Sequence, residues 1–114
     1  MKQIPESLLN TFRKYDTPTI VNSLELLDSK FRTSCFTTEQ MICADTTLPP
    51  IVGYARTATI SASSEVDPNT KRDRSLAYYE YVSSGTKPCI SVIQDVDESP
   101  GFGAFWGEVN SNIH

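Results

Sequence analysis

Cysteine is scarce in this 114-residue chain: Cys35, Cys43 and Cys89 are odd in number and show no CxxC spacing, which excludes a disulfide framework and a cysteine-based zinc site. Reduced thiols in a cytoplasmic protein, packed as small buried hydrophobes, are the simplest reading. Histidine occurs once, at His114, so any general-base or histidine-ligand role would fall to a terminal residue, expected to be poorly ordered. No apolar run approaches the length of a membrane span, and the opening Met1-Lys2-Gln3-Ile4-Pro5-Glu6 has no apolar core of a signal peptide. Basic charge is also short: ten Lys and Arg stand against fourteen Asp and Glu, a net charge of -4. No basic stripe interleaved with aromatics appears, so direct binding to nucleic acid is not expected.

What remains is ordinary globular material, 39% hydrophobic and 21% charged, enough for one domain with a modest core. Leu8, Leu9 and Phe12 recur at helical spacing behind Pro5 and predict a helix over 5–15. Asp16 or Thr17 can cap a second helix, with Pro18 in its first turn and Ile20, Val21, Leu24 and Leu27 on one face. Between Asp28 and Pro50 the pattern breaks into a long connection, with one short strand expected near Met41-Ile42-Cys43-Ala44. Residues 51–62, IVGYARTATISA, alternate as a half-buried strand does, with a bulge expected at Gly53. A helix over 71–84 follows, carrying Leu76, Tyr79 and Val82 inward, with Tyr78 and Tyr81 as further core or interface residues and Gly85 as a left-handed stop. Pro88 opens the strand CISVIQDV, apolar enough to be expected buried on both faces.

The chemistry-bearing stretch is SPGFGAFWGEVNSNIH. Gly101, Gly103 and Gly107 can turn successive N–H groups toward one point, and a helix starting near Gly107 adds its own unpaired donors and positive dipole end. A carboxylate or phosphate suits such a place, and a structural turn is the competing reading. Val109 and Ile113 give that helix one apolar face, but two turns are marginal without packing. Phe102, Phe105 and Trp106 beside the loop could wall a pocket, and a subunit contact is favoured. Asp95, Asp97 and Glu98 could attract Ca²⁺ or Mg²⁺, but their spacing is not that of an EF-hand loop, and turn residues with solvated charge are the favoured reading.

DTPTIVNSLELL near the start, IVGYARTATI in the middle and DVDESPGFGAFWGEVNSNIH at the end together resemble the RraA-like family, which includes regulators of ribonuclease E activity and divalent-metal-dependent 4-hydroxy-4-methyl-2-oxoglutarate aldolases. The resemblance covers essentially the whole chain, and its most specific piece is the Gly107-Glu108 pair opening a helix. It implies an α/β fold of the swivelling β/β/α type, assembled as trimers or hexamers with sites at subunit contacts. It also implies that the backbone amides of Gly107, Glu108, Val109 and Asn110 bind the carboxylate and keto oxygens of a pyruvate-like substrate, with Glu108 holding a water on Mg²⁺ or Mn²⁺. The reaction implied is aldol cleavage of a short 2-oxo acid, or decarboxylation of oxaloacetate, through a pyruvate enolate.

The family pattern continues into a glycine-containing strand ending in Arg-Asp, which clamps the substrate carboxylate and ligates the metal. No Arg-Asp pair stands in that context here, since Arg13, Arg56, Arg72 and Arg74 all lie elsewhere in the pattern, so no catalytic residue is assigned. The expectation is a single RraA-like domain over 1–114 that lacks its C-terminal part and carries the loop half of a site. Two other readings stay open: a non-catalytic protein of the same fold that binds and regulates a ribonuclease, and a small α/β ligand-binding domain outside the family.

Overall fold

The computed structural model describes residues 3–34 and 36–114, arranged as two compact units, Met1–Val52 and Gly53–His114. Cys35 lies outside the described residues.

In the first unit, α1 spans Glu6–Phe12 and α2 spans Thr17–Leu27. α1 is shorter than the apolar spacing predicts because Asp16 must be extended to cap α2, its carboxylate accepting from Thr19 N–H at 2.9 Å. Residues 13–15 therefore leave the helix through i→i+3 bonds, Lys14 N–H to Thr11 O and Tyr15 N–H to Phe12 O. Arg13 ties back to Glu6 at 3.0 Å, and Leu9 is buried. A 3₁₀ turn at Ser29–Arg32, capped by Asp28, follows α2. The strand expected at 41–44 does not form: Met41 and Ile42 are exposed, and the chain runs irregularly to an Asp45 turn in which Thr47 N–H and Oγ1 both donate to the carboxylate. Without a partner strand, a short apolar run has nothing to pair with.

The second unit is a strand–helix–strand assembly followed by a short helix. β1 (Tyr54–Ile60) and β2 (Cys89–Asp95) pair in parallel, Tyr54 opposite Cys89 through Ile60 opposite Asp95. Parallel neighbours need a crossover, and α3 (Pro68–Ser83) supplies it. The chain is thus mixed α/β with a two-stranded parallel sheet. α3 begins three residues before the predicted start because Asp67 reaches forward to accept from Asn69 and Thr70 N–H, with Pro68 in the first turn.

Several expectations about side chains change. Gly53 marks no bulge, since the register runs unbroken from Tyr54; a Cβ there would sit 2.9 Å from the Pro88 carbonyl oxygen, so the site demands a close backbone approach. Gly85 is not left-handed. It leaves room for Arg56, whose guanidinium a Cβ would meet at 2.2 Å and which lies over the Tyr81 ring at 4.8 Å. Of the apolar stripe assigned to α3, Val82 is buried and Tyr79 half-buried, but Leu76 is 60% exposed. β1 alternates as expected, whereas β2 is not buried on both faces, Val92 being 46% exposed; among the described residues β1 is its one neighbour in the sheet. Cys43 is exposed and Cys89 half-buried, accepting from Lys87 Nζ at 3.2 Å, so neither is the buried hydrophobe expected. Among the described residues, no helix is long and apolar enough to cross a membrane.

Candidate functional site

The two parallel strands deliver their C-terminal ends, Ile60 and Asp95, side by side, which is where α/β sheets present ligand-binding loops. Beyond β1 runs Ser61-Ala62-Ser63; beyond β2 runs Val96-Asp97-Glu98 and then the glycine loop. These two exits are fastened by Asp97, which is 8% exposed. Its carboxylate accepts from the hydroxyls of Ser61 and Ser63, the latter at 2.6 Å, and from the backbone N–H groups of Ala62 at 2.8 Å and Ser63 at 3.2 Å. The Ser61 and Ser63 hydroxyls, followed by the Ala62 N–H, favour the charged form and hold the Asp97 carboxyl at about 2, below its ordinary 3.8. Solvated charge was expected here, and the structure instead makes this acid the clasp of the unit. Only a local signal, an acid two residues after a strand, pointed to it.

Asp95 fits the turn reading. Its Oδ1 accepts from Asp97 N–H at 3.0 Å and its Oδ2 from Gly101 N–H at 2.7 Å. Consequently the Gly101 amide faces Asp95 and not a shared anion point with Gly103 and Gly107. Gly101 has φ +89, a conformation that favours glycine, while Gly103 is required for contact: a Cβ on it would lie 2.3 Å from Ala62 Cβ. Gly107 needs neither. It is the extended N-cap of α4 (Glu108–Ile113), and a Cβ there would meet nothing within 4 Å.

The four residues singled out by the resemblance are therefore contiguous, Gly107 capping and Glu108, Val109 and Asn110 forming the first turn. No side chain caps that turn. The amides of such a turn have no partner inside the helix, and Gly107, Glu108 and Val109 are exposed, which leaves the turn open to an incoming oxygen. The side chains are otherwise employed. Asn110 Oδ1 accepts from Tyr79 Oη at 3.0 Å and its Nδ2 donates to Phe105 O at 2.5 Å, fixing α4 against α3. Glu108 Oε1 accepts from Asn112 Nδ2 at 2.8 Å.

His114 is placed, contrary to expectation. Nδ1 donates to Asn110 O at 2.6 Å, and Nε2 shares a hydrogen bond with Tyr78 Oη at 2.8 Å. The ring sits among Tyr78, Tyr79, Phe105 and Trp106, at centroid distances of 5.0 to 6.1 Å. Phe105 also walls a cleft of about 1040 Å³, so at least one of the loop aromatics belongs to a pocket; Phe102 is largely exposed.

The described residues offer no grouped donor set for a divalent metal. Among the described residues no three His, Cys, Asp or Glu side chains are grouped to hold an ion, Asp95 and Asp97 being turned to backbone and hydroxyl donors. Glu108 alone, exposed and hydrogen-bonded to Asn112, does not make a site for an ion that needs six or more oxygen ligands or ordered waters. Comparison with protein-family models, curated proteins and solved structures finds no match to this chain.

Proposed function

We propose that this chain is an RraA-like protein of the swivelling β/β/α type, and that Gly107, Glu108, Val109 and Asn110 form the carboxylate-binding segment of a lyase acting on short 2-oxo acids. The observation that supports the reading is the uncapped first turn of α4, which follows the glycine loop beyond β2 and has Gly107 and Glu108 exposed. By contrast, α2 and α3 have their first amides occupied by Asp16 and Asp67. The quoted sequence resemblance supplies the substrate class.

In that reading the amides of Glu108, Val109 and Asn110 orient the carboxylate and the neighbouring keto oxygen. Cleavage of the carbon–carbon bond beyond the carbonyl places negative charge on that oxygen, and N–H donors already aimed at it stabilise the charge without reorganising. Asn110 positions the turn through its bonds to Tyr79 and Phe105. The metal chemistry associated with such lyases rests on Mg²⁺ or Mn²⁺ held by ligands that this donor set does not provide, so no step is assigned to an ion here. In the full reading the second half of the site comes from another segment or subunit of a trimer or hexamer, in the cytoplasm.

Calorimetric titration with oxalate, a mimic of the pyruvate enolate, tests the proposal. Saturable binding that is lost in Gly107→Val, with circular dichroism unchanged, is expected; equal binding by the variant would refute it. Oxalate binding separates the half-site reading from a pure protein-binding module; little oxaloacetate turnover with added Mg²⁺ is expected from this chain alone, and turnover at the rate of an intact lyase would overturn the half-site account.

A further inference from the structure

The cleft beside α3 is lined by Lys71, Arg74, Ser75 and Tyr78, which follow the i, i+3, i+4, i+7 spacing of a single helix face. A crossover helix ordinarily turns apolar residues toward its sheet, and this one turns two cations and two hydroxyl groups into a cavity. The floor is apolar: Ala58 and Ile60 come from β1, and Ile93 from β2. Phe105 closes one side.

Neither cation is held in an ion pair: among the described residues the basic partners of ion pairs are Arg13, Lys30, Arg32 and Arg72. Of the two acids that line the cleft, Asp67 keeps its charge but turns its carboxylate to the Asn69 and Thr70 N–H groups, and Glu65 forms no ion pair with Lys71 or Arg74, so both cationic heads are available to an incoming oxyanion. At i and i+3 their Cβ atoms are about 5–6 Å apart, a separation at which two flexible side chains can converge on one oxyanion.

From these features we infer that the cleft binds a small organic anion, a phosphate or carboxylate joined to an aromatic or otherwise flat apolar body. Lys71 and Arg74 hold the charged end. The body lies over Ala58, Ile60 and Ile93, against Phe105 and Tyr78. The site is separate from the amides of Gly107–Asn110 and does not depend on their role.

Trp106, the single tryptophan, stands edge-on to Phe105 at 5.1 Å and reports on the cleft wall. The intact chain is titrated with phenyl phosphate and with phenylacetate, following both fluorescence and calorimetric heat. Saturable binding is expected, weakened about tenfold or more in the Lys71→Gln/Arg74→Gln double variant and by added salt. Arg72→Gln, altering a cation paired with Asp73 and outside the cleft, is expected to leave affinity unchanged. Tighter binding of one probe assigns the oxyanion as phosphate or carboxylate. Absence of saturable heat and fluorescence change with both probes overturns the inference, as does full affinity in the double variant or equal weakening by Arg72→Gln. Each single variant, expected to lose affinity by a smaller factor, serves if the double variant does not fold. Oxalate binding that persists in the double variant keeps the two sites distinguishable.

Discussion

Asp97 and Ser63 stand 34 residues apart in the sequence and 2.6 Å apart in the fold, the serine hydroxyl donating to the carboxylate two residues beyond β2. With Ser61 and the Ala62 amide on the same carboxylate, this contact joins the exits of the two strands and sets where the glycine loop begins. Asp97→Ala leaves two hydroxyls and two backbone amides without their acceptor. The variant is expected to lower the thermal midpoint by several degrees in a circular dichroism melt, whereas Glu98→Ala, its neighbour outside the clasp, leaves the midpoint unchanged.

The same group fixes an acid-sensitive window. Because Asp97 titrates at about 2 in the fold against an ordinary 3.8, its contribution to stability is fully present above 3.8 and is lost as pH falls through about 2. Denaturant melts across that range should show wild type losing more stability than Asp97→Asn, which cannot ionise. Parallel curves for the two proteins would mean that the clasp is not formed by the charged carboxylate.

Gly103 and Gly107 should respond oppositely to a methyl group. Gly103→Ala forces a Cβ to within 2.3 Å of Ala62 Cβ and displaces the loop, so a lowered midpoint and shifted Trp106 emission are expected. Gly107→Ala meets nothing within 4 Å and should fold like wild type. Equal midpoints for the two variants would show that the loop does not pack against Ala62.

Asp67 decides where α3 starts. Asp67→Ala should fray the first turn, seen as faster hydrogen exchange at Asn69 and Thr70, and Asp67→Ser should restore most of the protection because a hydroxyl also caps. Unchanged exchange in Asp67→Ala would indicate that tertiary packing, not the cap, holds the turn.

The elements were legible where the signal is local. Asp16 or Thr17 before Pro18, with an apolar face running to Leu27, marks α2, and the structure makes Asp16 the cap. The alternation over 51–62 marks β1, which is shorter at both ends, Tyr54–Ile60. α3 starts three residues before the apolar spacing indicates, because Asp67 caps it from outside that stripe. Gly85 and Gly53 were assigned conformational roles, but what they provide is space for Arg56 and for the Pro88 carbonyl, a requirement visible only once distant segments meet. The Asp97 clasp and the His114–Tyr78 bond join residues more than thirty positions apart, and no spacing rule reaches that far. The turn at Gly107–Asn110 was legible as a segment, though its partners Tyr79 and Phe105 were not.

The central claim is that the first turn of α4 receives a 2-oxo acid through its backbone amides. Amide chemical-shift mapping of the intact, isotope-labelled chain during titration with oxalate and then pyruvate tests it most directly. The account expects saturable shifts centred on Glu108, Val109 and Asn110, and none at Asn69 and Thr70, whose amides Asp67 already holds. Saturation with no shift at those three residues, or no saturable shift anywhere in the chain, would contradict it.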